Sequence, residues 1–160
     1  MSASDKLDKI DLQLLEALQA DARVAMQALA DRSNISVPAC YRRIRRLREN
    51  GVIEREIAVV KPQTMGWPLT MIVLVALERE RTDIIDRIIQ KFARVPEIVE
   101  AWYVTGDHDF ALRIVARDME SFEALTRRTM YSDENIRGFK TLVVMRNVKS
   151  LSPIPVAPDL

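Results

Sequence analysis

Up to residue 50 of this chain, apolar positions recur every three or four residues; beyond residue 68 they come in short, nearly continuous runs. The first rhythm belongs to helices and the second to buried or half-buried strands. Leu7, Ile10, Leu14, Leu15 and Leu18 mark a first helix, with Asp8 as its natural cap. AMQALADRSN, residues 25–34, predicts a second with Met26, Leu29 and Ala30 on one face. Asn34 then stands where the chain must turn through the left-handed region, which Asn tolerates better than most residues. Ser36 caps a third helix with Pro38 in its first turn, a Cys40, Ile44 and Leu47 stripe, and Asn50-Gly51 as its stop.

VIEREIAVV, residues 52–60, alternates enough for a strand or wing, and PQTMGWP, residues 62–68, reads as a linker. LTMIVLVAL is then a buried strand. TDIIDRIIQKFARV is an amphipathic helix capped by Thr82, with Ile84, Ile85, Ile88, Ile89 and Phe92 inward. IVEAWYVTG and FALRIVA are strands joined by a short loop. DMESFEALTRRTM is a helix capped by Asp118 with Met119, Phe122 and Leu125 inward, and FKTLVVMRNV is a last strand. The fold class is therefore α+β. An all-α helix-turn-helix domain over 1–61 and the linker precede a ferredoxin-like βαββαβ domain with an antiparallel sheet over 69–150. The proline-rich tail, 151–160, is expected to be extended and outside either core.

Composition is ordinary for a globular chain, and the formal net charge is only +1, so any role with nucleic acid rests on local charge. That asymmetry is present. Six arginines and no acid lie between Arg32 and Arg48, whereas residues 5–21 carry five acids against two lysines. A single cysteine, Cys40, excludes an internal disulfide and a cysteine-cluster metal site. The N-terminus lacks a signal-peptide pattern, and the longest apolar run, residues 69–77, is too short to cross a bilayer. A cytoplasmic protein without a membrane partner is the expectation.

A basic third helix following a short turn suits a major-groove recognition helix, whose leading residues reach base edges. The candidate DNA contacts are Ser36, Val37, Ala39 and Tyr41 at that leading end, with Arg42, Arg45 and Arg46 sharing a face turned away from the apolar stripe. A solvated arginine face is the plainer alternative; the turn, the cap and the preceding helix favour double-stranded DNA. RNA fits less well, because no aromatic side chains are interleaved for base stacking. Cys40 on the apolar stripe reads as a small core residue.

LDKIDLQLLEALQADAR, then LADRSNISVPACYRRIRRLRENGVI, VTGDHDFALRIVARDMESFEAL and TLVVMRNVK, in that order, resemble the leucine-responsive regulatory protein/AsnC (feast/famine) family of prokaryotic transcription regulators. The similarity runs over residues 7–149. Asn34 replaces a common glycine, and S-V-P-A-C replaces the proline that often follows the serine directly. The resemblance implies a C-terminal effector and oligomerisation domain, homo-oligomers (dimers, often tetramers of dimers), and an amino-acid effector bound between dimers. Matching the motifs assigns Tyr103, Gly106, Asp107, Asp109, Met119, Leu142 and Val144 to that effector site. The residues themselves also allow a hairpin turn at Gly106-Asp107 and plain packing by Met119, Leu142 and Val144. His108, the only histidine, reads as an exposed loop residue; neither a metal nor a cofactor is expected. Two further readings stay open. One is an architectural DNA-binding protein without a ligand response, for which salt-dependent binding of little sequence preference would speak. The other is a small enzyme using Asp107, His108 and Asp109 as acid–base groups, against which stand the missing nucleophile, phosphate loop and metal cluster.

Overall fold

The computed structural model describes residues 7–79 and 81–157. Residues 1–6 of the predicted first domain, residues 158–160 of the predicted tail, and Glu80 lie outside the described residues. The chain divides into two compact units, with boundaries after Ala58 and after Asn147.

In the first unit, α1 spans Lys9–Ala20, α2 Met26–Arg32 and α3 Val37–Glu49. Leu14, Ala17, Leu18, Leu29, Ala30, Cys40 and Ile44 form its core, so the periodicity found the right faces. Burying one such leucine contributes about 2 kcal/mol, enough in sum to hold three short helices that would not persist alone. Asn34 takes φ 52° in the turn, Ser36 caps α3, and Gly51 leaves that helix at φ 71°. Residues 52–60, expected as a strand or wing, form no ladder. Val52, Ile57, Val59 and Val60 are exposed there, and an extended segment without a neighbouring strand has nothing to pair with. The tail is extended but groups with this unit. The Gln19 amide brackets the Ile154 backbone, accepting its N–H at 2.7 Å and donating to its carbonyl at 3.3 Å.

The second unit begins with a 3-10 turn at Pro62–Met65 that closes on Gly66 at φ 82°. Then follow β1 Leu69–Leu77, α4 Thr82–Ala93, β2 Ile98–Tyr103, β3 Phe110–Ala116, α5 Met119–Thr126 with a π-turn over Arg127–Tyr131, and β4 Ile136–Val143. The four strands form one antiparallel sheet in the order β2-β3-β1-β4. Met71, Val73, Val75, Leu77, Phe110, Leu112 and Ile114 pack with Ile88 and Phe92 of α4 and Phe122 and Leu125 of α5. Three expectations for the helices fail. Thr82 makes no side-chain cap; Arg81 takes that position and pairs with Asp83 instead. Ile89 and Met119, expected inward, are exposed, because each helix turns only a narrow stripe to the sheet. β4 begins earlier than expected, at Ile136.

Ile72, Leu74, Trp102 and Leu142 point to the opposite, uncovered face of the sheet, where Arg113 and Glu100 pair across neighbouring strands at 2.7 Å. Asp133 closes the helix-covered side. It accepts from Lys91 at 2.8 Å, from Arg87 at 3.4 Å and from both nitrogens of Asn135. Burial opposes its charge, but the Lys91 and Asn135 donors and the Lys91 charge outweigh burial and hold the carboxyl at about 2. A depressed folded pKa stabilises above the ordinary carboxylate value and ceases to do so as pH falls from about 4 toward 2. Asp133→Asn is therefore expected to cost up to about 2 kcal/mol at pH 7 and little at pH 2. Urea melts of both proteins at the two pH values check this; an equal cost at both would refute it.

Candidate nucleic-acid interface and effector loop

The turn and cap that set α3 are local. Asn34 N–H donates to the Asp31 carbonyl at 3.2 Å, Ile35 N–H to that of Ala30 at 3.0 Å, and Ala39 N–H to Ser36 Oγ at 3.4 Å. Of the candidate contacts, Ser36, Tyr41, Arg42 and Arg45 are exposed, together with Pro38, and form the open edge of the helix. Val37 leans on the core and Ala39 is half-buried. Arg46, expected on the same outward face as Arg42 and Arg45, instead turns toward α1, where Asp11 binds it. Arg45 pairs with Glu49 at 2.7 Å, one turn along, and Arg48 with Glu56 at 2.7 Å. Among the described residues, Arg42 is the α3 arginine with no salt bridge.

Asp11 is the residue the apolar pattern missed. Its side chain is only 1% exposed. One oxygen accepts from Arg43 at 2.9 Å; the other accepts from Arg46 and from the Asp8 N–H at 3.2 Å. Asp8 completes a reciprocal capping box by accepting the Asp11 N–H at 2.9 Å, and it takes a bond from Arg43 at 2.7 Å. The Asp11 N–H, against the penalty of burial and with help from Arg43, holds the Asp8 carboxyl below its usual value. The L-D-K-I-D opening is thus a helix cap and a buried anion in one, and it ties α1 to α3. Two signals were available: acids at N-cap and N3, and cations three residues apart on a partner helix.

The Thr105–Asp109 segment joins β2 to β3. Gly106 sits at φ 122°, a conformation that side chains disfavour, with open space where a Cβ would point. Asp107 is exposed. Asp109, a candidate effector contact, is committed elsewhere: its carboxylate accepts the Leu77 N–H at 2.7 Å, beside the irregularity that frees this donor from the ladder. Its own N–H donates to the Val75 carbonyl at 2.8 Å. Tyr103 packs on Phe110 with ring centroids 5.3 Å apart and keeps about half its surface open.

The seven candidate effector residues do not meet within one chain. Tyr103, Gly106, Asp107 and Asp109 cluster where Phe110 pairs with Val75. Met119 follows the other end of β3, where Ala116 pairs with Leu69, and Val144 donates to the Thr70 carbonyl at 2.9 Å at that same end. Leu142 lies between them on the uncovered sheet face, opposite Ile72. The length of β3 separates the two groups by about 20 Å. His108 is half-buried, and among the described residues no cluster of metal-ligating side chains forms around it or elsewhere. No described helix is long and apolar enough to cross a membrane.

Comparison with known proteins fits this layout. The Lrp/AsnC ligand binding domain matches residues 70–154, and a winged helix-turn-helix DNA-binding model matches residues 7–54. An uncharacterized HTH-type transcriptional regulator of Sinorhizobium fredii is 46% identical over 151 residues, 94% of this chain and 89% of that protein. The leucine-responsive regulatory protein of Rhizobium meliloti is 32% identical, over 94% of this chain and 97% of its own. A transcriptional regulator of Neisseria meningitidis, solved in complex with L-Met, shares the fold with TM-score 0.87 at 24% identity, over 97% of this chain and 100% of that one. The chain belongs to the Lrp/AsnC family: it is a DNA-binding transcription regulator with a ligand-binding domain, and not an enzyme.

Proposed function

We propose that this regulator binds pseudo-palindromic operator DNA as a homo-oligomer and that an amino acid shifts its assembly or its operator affinity. The observation that carries the DNA reading is the open edge of α3, where Ser36, Tyr41 and Arg42 stand clear of the core and Arg42 has no salt bridge among the described residues. In this reading Arg42 meets a phosphate or a guanine edge, and Arg45 joins it by leaving the exposed Glu49 pair, which costs little to break. Arg46 orients the helix and touches no DNA. A DNA partner supports a cytoplasmic location.

The split effector residues support the oligomer. Gly106 and Asp107 of one copy, with Tyr103, complete a pocket only when Met119, Leu142 and Val144 of another copy approach them. Asp109 then sets the loop's shape and leaves the ligand's ammonium to Asp107. Two apolar features favour copies associating: the uncovered sheet face of Ile72, Leu74, Trp102 and Leu142, and the unpaired segment carrying Ile57, Val59 and Val60. Binding at such a shared pocket couples ligand to assembly without any chemistry.

Fluorescence anisotropy against the DNA upstream of the protein's own gene, with a shuffled control, tests both halves. L-Leu and L-Met are tried first, then the other common amino acids. Sequence-preferring binding that one amino acid shifts several-fold is expected. Equal, steeply salt-dependent binding to both DNAs, indifferent to every amino acid, would mean an architectural protein instead.

A further inference from the structure

The leading end of α3 is apolar, although the helix as a whole is basic. From Ser36 to Tyr41 the sequence S-V-P-A-C-Y holds no charged and no amide side chain, and the arginines begin only at Arg42. Ser36 Oγ is engaged as the helix cap by the Ala39 N–H, Cys40 is in the core, and Val37 and Ala39 are half-buried. What this end presents outward is therefore Pro38 and Tyr41. They stand three residues apart, in one exposed row with Arg42 and Arg45.

Tyr41 is the unusual member. It is the only aromatic residue before Trp67 in the sequence. The core of its unit is built without it, from aliphatic and sulfur-containing side chains. Tyr41 is 57% exposed and, among the described residues, makes no hydrogen bond and no ring contact. The fold gains little from so open a ring, whereas covering it against a partner is favourable. A helix lying in the major groove meets base edges rather than base faces, so the ring has no base to stack on there. Those edges are rows of hydrogen-bond donors and acceptors with one apolar exception, the 5-methyl group of thymine.

We propose that Tyr41 reads thymine: its ring, flanked by Pro38, packs on the 5-methyl group of a thymine in each operator half-site, while Arg42 beside it meets a phosphate or a guanine edge. This rests on α3 being the recognition helix and adds the base class that its leading end selects. A methyl contact neutralises no phosphate and releases no counter-ion. The preference for thymine is therefore independent of salt, unlike the arginine contacts.

Selection of duplexes bound by the full chain from a random-sequence pool, followed by deoxyuridine substitution at each enriched thymine, tests this. Deoxyuridine keeps every hydrogen-bonding group of thymine and lacks only the methyl. At the thymine that Tyr41 covers, the substitution is expected to weaken binding about three- to five-fold, the effect of one buried methyl group, at low and high salt alike. Tyr41→Ala is expected to erase that loss. Tyr41→Phe, which keeps the ring without the hydroxyl, is expected to retain it. Both variants keep the urea midpoint of the parent, because the ring lies outside the core. A deoxyuridine loss that persists in Tyr41→Ala, one that disappears in Tyr41→Phe, or no loss at any thymine overturns the proposal. Arg42→Ala then shows what has failed. If it still weakens binding, α3 is the recognition helix and only the thymine contact is wrong. If it binds as the parent does, or if the pool yields no enriched sequence, the placement of α3 on DNA falls with it.

Discussion

Asp11→Ala is expected to cost the helix-turn-helix unit about 3 kcal/mol, near the lower end for breaking a buried ion pair. The lower end applies because Arg43 and Arg46, the partners left behind, are 25% and 43% exposed and can rehydrate. Part of the loss is the capping box, since the Asp8 N–H loses its acceptor at the start of α1. For a unit this small the cost corresponds to a fall in Tm of about 10–20 °C. Hydrogen exchange of α1 and α3 amides in urea reads the effect where it arises. Arg46→Ala is expected to give a smaller loss in the same direction. A variant with Asp11, Arg43 and Arg46 all replaced by apolar residues of similar volume is expected to recover most of the stability, because no charge is then left unpaired. Asp11→Ala with unaltered protection in α1 and α3 would show that the buried carboxylate does not hold the recognition helix.

Arg42→Ala carries the opposite signature. It leaves the urea midpoint unchanged, because Arg42 touches no salt-bridge partner among the described residues, and weakens operator binding about ten-fold. If Arg42 meets a phosphate, the slope of log K against log salt becomes shallower by about 0.9. If it reads a guanine edge, the slope stays and the loss is confined to sites carrying that base pair. Arg42→Glu adds repulsion from the backbone and is expected to cost about a hundred-fold. Measured together, stability and affinity separate the arginines: Arg46 moves the first, Arg42 the second. Normal operator affinity in both Arg42 variants would place the DNA contact elsewhere.

Much of this molecule is decided by residues close together in sequence. The apolar spacing found all three helices of the first unit, because each buries a single stripe. Asp8, Ser36 and Asp118 announce helix starts that the structure makes with side-chain caps, since a cap needs only the residues of its own first turn. Asn34 and the Asn50-Gly51 stop were legible for the same reason. The βαββαβ order followed from the alternation of runs, which a ferredoxin-like sheet requires.

What the sequence left open depends on partners far along the chain. Asp11 reads as one more acid on α1 until Arg43 and Arg46 arrive from α3 and make it a buried anion. Asp109 belongs to a tempting G-D-H-D motif, yet a backbone donor on β1 claims its carboxylate. Met119 follows the helix period inward, but α5 turns only Phe122, Leu125 and Thr126 to the core and leaves it exposed. Gly106 and Val144 were matched to one effector site yet stand at opposite ends of the sheet, because β3 and β4 both pair antiparallel with β1 and so run the same way, one residue preceding β3 and the other following β4. Glu97, just before β2, finds its partner in Arg128 of the π-turn, 31 residues further along the chain. Local chemistry fixes which elements form; the burial of a charge or the closing of a cavity needs the third dimension, where distant residues set each other's surroundings.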